Sequence, residues 1–246
     1  MKNLASLILL VLLLTSLQAC TAAPAENDVQ DVSAYSDKIT DFWKWFAAND
    51  EKLAAISNPS DPLMMDMSRR LKAIDERLTY ECGFANKDKK EMAISADTRP
   101  EVFPLVKAVV EKAPKLKEWT VIAFRQRSPK AILKDLAISG RPAPGHEGEE
   151  VTVKVSEMRA AVNPVGDRAN ITVFVKGYKP DSPQEHMANM MLQQATGEYD
   201  LVTKVEQIDF KDLKDANEKN SIPFADLGDS LDKAVVVKDS KTPEQD

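Results

Sequence analysis

Residues 78–97 read LTYECGFANKDKKEMAISAD, and their two halves decide the fold. Leu78, Tyr80, Cys82 and Phe84 alternate along the chain, the period-two signature of a strand with one buried face. EMAISAD (91–97) reads as a second strand, and the charged stretch ANKDKK (85–90) between them reads as a hairpin connection.

The pattern extends in both directions. Downstream, Pro100 suits the first turn of a helix that buries Phe103, Val106, Val109, Val110 and Ala113 and stops at Pro114. WTVIAFRQR (119–127) follows as a strand with apolar residues on both faces, which predicts a central place in a sheet. Upstream, Ser36 to Ile56 reads as a helix with Ile39, Phe42, Trp43 and Phe46 on one face. Pro59 breaks the chain, and Ser60 is placed to cap a second helix carrying Leu63, Met64, Met67, Leu71, Ile74 and Leu78.

Residues 78–126 thus run strand, strand, helix, strand, and residues 151–210 repeat that order. VTVKVSEMRAAVNP (151–164) and ANITVFVKGY (169–178) flank the turn VGDR. SPQEHMANMMLQQA (182–195) is a helix capped by Ser182 and stopped by Gly197. YDLVTKVEQIDF (199–210) is the last strand, and IPFADLGDSLDKAV (222–235) a short final helix. The Gly- and Pro-rich stretch from Ser139 to Glu150 marks a loop or hinge. The expected fold class is α+β, a mixed and antiparallel sheet covered by helices, with duplicated ββαβ units as a further expectation. One domain is expected over 36–234, with halves at 36–138 and 150–234, and a disordered tail over 235–246.

The chain opens MKNLASLILLVLLLTSLQACTAAP. Lys2 and the apolar run from Leu4 to Leu17 form a secretory signal, too short to span a bilayer and followed by small residues. Leu17-Gln18-Ala19-Cys20 resembles the lipobox of bacterial lipoproteins. The resemblance implies removal of residues 1–19, diacylglycerol on the Cys20 sulfur and attachment to the membrane through lipid. More than one acyl chain holds such a protein stably. Residues 20–35 are small, polar and acidic and read as a flexible tether. By resemblance to enteric lipoproteins, Thr21 after the cysteine favours the outer membrane, with the domain facing the periplasm.

Composition narrows the partners. The chain has 246 residues, a formal net charge of -6 and 43% hydrophobic residues. A mildly acidic protein lacks the basic footprint of a nucleic-acid binder. Cys20 is reserved for lipid, so Cys82 stands alone and is expected to be a buried, inert thiol.

FWKWF (42–46), ISAD (94–97), the stretch from Phe103 to Arg127 that ends in AFRQR, and GEYDLVTKVEQIDF (197–210) resemble an uncharacterised family of bacterial proteins. In that family glycine follows the ISAD segment. Thr98 stands there in this chain, so the turn after Asp97 is expected to differ. The resemblance implies one fold and no particular reaction.

Candidate sites are few. Arg125 and Arg127 lie two apart on an expected strand, so their guanidinium groups leave on one face, and Glu198 and Asp200 have the same spacing. The four residues form either an anion- or carboxylate-binding site or an ion-pair network among themselves. Trp45, off the main apolar face of its helix, is a candidate anchor for a partner, or else is covered by the sheet. His186 and Met190, with Met187 and Met191 beside them, offer nitrogen and thioether ligands suited to Cu(I), although Met at helical spacing ordinarily fills a core. His146 with Glu147, Glu149 and Glu150 would make a weak cation site at best. Ser95 and Asp97 alternate with no histidine near them in sequence. No motif assigns a catalytic residue, a metal or a cofactor. The expected activity is binding or assembly with an envelope partner. The alternatives are a hydrolase with an Arg/carboxylate site, and an immunity or inhibitor protein.

Overall fold

The computed structural model describes residues 31–58, 60–84, 89–140 and 150–235. The expected signal segment, Cys20, Pro59, most of the ANKDKK connection, His146 and residues 236–246 lie outside the described residues. Among the described residues no helix is long and apolar enough to cross a membrane.

The chain is α+β and builds two ββαβ units. Three helices precede the first: α1 (Ser36–Ala48), α2 (Asp50–Ala55) and α3 (Pro62–Ile74). The long helix expected over 36–56 is broken at Asn49, which ends α1 and begins α2. Its side-chain amide donates to the Trp45 carbonyl at 2.8 Å, so the residue competes with the helix for its own backbone groups. The cap of α3 is Asp61 rather than Ser60, and its carboxylate accepts from the Leu63 amide at 2.8 Å. Residues 32–35, placed in the tether, form a 3-10 turn capped by Asp31.

The hairpin reading of 78–97 holds. β1 (Thr79–Phe84) pairs antiparallel with β2 (Lys90–Ser95). A 3-10 turn (Pro100–Val102) leads into α4 (Phe103–Glu111), and β3 (Trp119–Ala123) returns parallel to β2. The sheet order is β1-β2-β3, so β3 is an edge strand, not a central one. Trp119 is buried, whereas Val121, Ile122 and Ala123 are only half-buried. The Trp119 ring meets Phe46 of α1 edge-on, 5.7 Å between centroids.

The second unit follows α5 (Lys130–Leu133) and a small antiparallel pair, β4 (Ala137–Gly140) with β5 (Val151–Lys154). The expected strand 151–164 is split by a 3-10 turn at Val155–Glu157. β6 (Arg159–Val165) and β7 (Arg168–Val175) then form a hairpin whose turn uses Gly166 at φ 62°. α6 (Pro183–Thr196) begins with Ser182 accepting from the Glu185 amide, while the Glu185 carboxylate accepts from the Asp181 amide at 2.8 Å. α7 (Glu198–Lys204) leads into β8 (Val205–Asp212), which pairs parallel with β7. The order β6-β7-β8 and its strand directions repeat those of β1-β2-β3. β9 (Ile222–Pro223) adds to the free side of β6, and α8 (Leu227–Ala234) closes the chain. Val235, assigned by sequence to the tail, is buried.

Each unit has its own core. One cluster runs from Ile39 to Phe124, centred on Phe46, Leu71, Ile94 and Leu105. The other runs from Leu133 to Val235, centred on Ile171, Met191, Leu192 and Phe224. The boundary therefore falls between Phe124 and Leu133, ahead of the 138–150 stretch, because α5 and β4 pack with the second core.

Candidate functional site

The four charged residues singled out by spacing meet where the two units join, but not as the spacing implied. β3 ends at Ala123, and Phe124 takes a left-handed conformation, φ 67°. Arg125 and Arg127 thus lie on an irregular strap beyond the strand. Glu198 and Asp200 lie in the first turn of α7, a helix where a strand was expected. The error has a physical source: the beta-branched and apolar residues of YDLVTKV suit a strand, yet Gly197 ends α6 and turns the chain directly into another helix.

The strap docks on the joint between α6 and α7. The Ser128 amide donates to the Gln194 carbonyl at 2.8 Å, and Arg127 Nε donates to the Thr196 carbonyl at 2.8 Å. Gly197 sits at φ 73°, ψ 158°, a region essentially reserved for glycine. A Cβ there would lie 3.2 Å from the Arg127 amide nitrogen and 3.3 Å from the Arg125 carbonyl oxygen.

Glu198 is fully buried. Its Oε1 accepts from the amides of Ala96 at 2.9 Å and Thr98 at 3.1 Å, and its Oε2 accepts from the Arg125 amide at 3.2 Å. Among the described residues no ion pair involves this carboxylate. Backbone dipoles satisfy it instead, which is what a buried charge requires. The turn that supplies two of them runs Ala96-Asp97-Thr98-Arg99, closed by the Arg99 amide donating to the Ala96 carbonyl at 3.2 Å. Asp97 and Thr98 take φ 53° and 62°, the signs of a type I′ turn. Thr98 therefore holds the conformation that glycine would favour.

The arginines split between two sets of partners. Arg125 pairs with Asp97 at 3.0 Å and Glu81 at 3.5 Å on the first unit. Arg127 pairs with Asp200, and with Asp232 of α8 at 2.6 Å, while Lys204 reaches Asp232 at 2.7 Å and Asp200 at 3.2 Å. Hydrogen bonding from Arg127, then from Lys204, holds the Asp232 carboxyl well below the usual carboxylate range. Hydrogen bonding to Asp232 raises the Arg127 guanidinium above its ordinary value. Burial opposes the charge of Lys204, and its bonds to Asp232 and Asp200 outweigh that. Asp232 and Lys204 carried no sequence signal, since each is one charge among many on an amphipathic surface.

Above the Glu198 cradle lies an aromatic stack. Phe103 and Phe124 are 4.4 Å apart by centroid, and Tyr199 covers both at 5.7 and 5.2 Å. Lys107 Nζ stands 5.0 Å from the Tyr199 ring, and Tyr199 keeps 41% of its surface exposed.

The remaining candidates are dispersed. Trp45 is half-buried against the first core, with the Arg70 guanidinium 4.7 Å over its ring. Met187 and Met191 are core residues, whereas His186 and Met190 face outward. Among the described residues no group of three His, Cys, Asp or Glu could hold a metal ion. Ser95 is buried and its hydroxyl accepts from the Asp97 amide at 2.9 Å. Cys82 is exposed, not buried. The residue lines a cleft with Leu53, Met64 and Trp119, and desolvation pushes its thiol up to about 11. No protein-family model, curated protein or solved structure matches the chain.

Proposed function

We propose that the protein is a lipid-anchored component of the bacterial cell envelope that binds or helps assemble another envelope protein. The observation that carries this reading is the LQAC sequence at 17–20, directly after a leucine-rich signal run. Residues 20–30 separate the lipidated cysteine from the first described turn. Fully extended they reach at most about 40 Å, which would keep the domain close to the membrane. Binding is favoured over catalysis because Glu198 is bonded to the turn after β2, while Arg127 and Asp200 pair with each other and hold the strap on the second unit. The exposed edge of Tyr199, with Lys107 beside it, is the surface with the amphipathic character of an interface anchor.

A hydrolase reading retains one point of support. Arg125 faces Asp97 and Glu81, whose side chains are about half exposed.

The test begins with radioactive palmitate labelling of the full chain and of Cys20→Ser. Label is expected on the first and absent from the second; equal labelling would overturn the anchor. Crosslinking of the tagged, lipidated protein in native membranes then reads the partner. One envelope protein recovered in near-equal amount, and lost with Cys20→Ser or Tyr199→Ala, is the expected result. Recovery of none would overturn the assembly reading.

A further inference from the structure

We propose that the first ββαβ unit carries a carboxylate-binding cradle and that Glu198 is its tethered ligand, latching the second unit to the first.

The cradle is built from the first unit and from Arg125, the residue that directly follows it. It lies beyond the C-terminal ends of the parallel strands β2 and β3, where open α/β units present their binding crevice. Three amides converge on one carboxylate from two separate turns: Ala96 and Thr98 from the β2 end, Arg125 from the β3 end. Four non-glycine residues have positive φ among the described residues, and three of them, Asp97, Thr98 and Phe124, shape this cradle. Left-handed non-glycine residues persist only where the surroundings fix them, and they gather at ligand clamps. Here they turn amides inward to form an anion-binding concavity.

The ligand comes from the other unit and is held on both sides. The Glu198 amide donates to the Arg125 carbonyl at 2.9 Å, and Gly197 lets the backbone approach the strap. Tyr199 and Val202 of the same helix pack on the first core. Tethering gives the Glu198 carboxylate a high effective concentration, so a free carboxylate has no access to the wild-type cradle. The ligand class follows from the atoms. Glu198→Ala removes a methylene and a carboxylate, and acetate restores both.

The experiment is thermal unfolding of the full-length Glu198→Ala protein in sodium acetate against sodium chloride at equal ionic strength and neutral pH, with acetamide as the uncharged isostere. The Tm of the variant is expected to rise with acetate to a plateau, with no such response to acetamide. The wild type should show only the small, non-saturating rise that surface exclusion of acetate gives, so the variant's excess over it is the signal. An equal response of the variant to both salts, or to acetamide, would overturn the proposal. Should Glu198→Ala fail to fold, Glu198→Gln serves, since it keeps the shape and removes the charge. Hydrogen exchange at the amides of Ala96, Thr98 and Arg125 is expected to quicken by about tenfold or more. Unchanged exchange at those amides would equally defeat the idea.

Discussion

Arg125 and Glu198 exchange hydrogen bonds through the backbone of one and both ends of the other. The Arg125 amide donates to Glu198 Oε2 at 3.2 Å, and the Glu198 amide donates to the Arg125 carbonyl at 2.9 Å. The pair looks in sequence like a guanidinium facing a carboxylate. In the fold the guanidinium turns to Asp97 and Glu81, and the carboxylate is held by amides. The charge of Arg125 is therefore secondary at this joint and its backbone position is primary.

Gly197 tests how tightly the joint is closed. Its φ and ψ lie where a side chain is strongly disfavoured, and the strap backbone stands 3.2–3.3 Å from where a Cβ would be. Gly197→Ala is expected to lower stability by about 2 kcal/mol or more, read as a lower urea midpoint. Gly228 makes a similar approach, with the Ala195 carbonyl oxygen 2.7 Å from the would-be Cβ. Gly228→Ala should destabilise as well, while Gly83→Ala, with nothing within 4 Å, should not.

Thr98 predicts the opposite sign. A beta-branched residue at φ 62° carries strain of about 1–2 kcal/mol, and glycine would lose about 0.5–1 kcal/mol of that advantage to the unfolded chain. Thr98→Gly should leave the Glu198 cradle intact and raise the unfolding free energy by about 0.5 kcal/mol. A decrease would show that the Thr98 hydroxyl, which donates to the Asp97 carbonyl at 2.7 Å, contributes more than the strain removes.

These two positions mark what the sequence could and could not show. The hairpin at 78–97, the caps at Ser182 and Gly197 and the repeated strand order follow from period-two alternation and local capping chemistry, which act over a few residues. The fate of 119–127 and 197–204 depends on contacts made across 66–105 positions of chain, such as Ser128 with Gln194 and Arg127 with Asp232. Propensity favours a strand in YDLVTKV, and docking of Glu198 into the Ala96–Thr98 turn overrides it. The cover of Trp45 is equally non-local: Arg70, whose guanidinium lies 4.7 Å over its ring, belongs to another helix. The cradle had one trace in sequence, the polar pair Asp97-Thr98 directly after an apolar strand.

Asp232 sets an acid limb. Its carboxyl is held low in the folded protein, beside Arg127 and Lys204. A depressed folded value means a stabilising contribution that is complete above the unfolded value of about 4 and is lost as pH falls below it. Asp75, held low chiefly by Arg77, acts in the same direction. Asp232→Asn should lower stability at pH 7 and flatten its decline between about pH 4 and 2. The Asp232 side chain is 47% exposed, so high salt should shrink the difference between variant and wild type. Unfolding midpoints across pH at two salt concentrations check both statements.

Cys82 separates accessibility from reactivity. The residue is exposed, yet desolvation in its cleft is the chief cause that pushes the thiol up to about 11; nearby Glu81 adds to the rise and Lys90 opposes it. Thiolate is the reactive form, so alkylation near pH 8 is governed by its scarcity. Against an ordinary thiol the thiolate fraction falls about a hundredfold, and greater intrinsic nucleophilicity returns about tenfold. The expected iodoacetamide rate at pH 8 is therefore on the order of tenfold below that of a free thiol. It should keep rising beyond pH 9, where a free thiol levels off. The measurement belongs in a Cys20→Ser background, where Cys82 is the one cysteine of the sequence. Replacing Met64 in the cleft by Ser should admit water to the sulfur and shift the pH–rate curve downward. A curve that stays in place would mean that the Glu81 charge, rather than burial, controls the thiol.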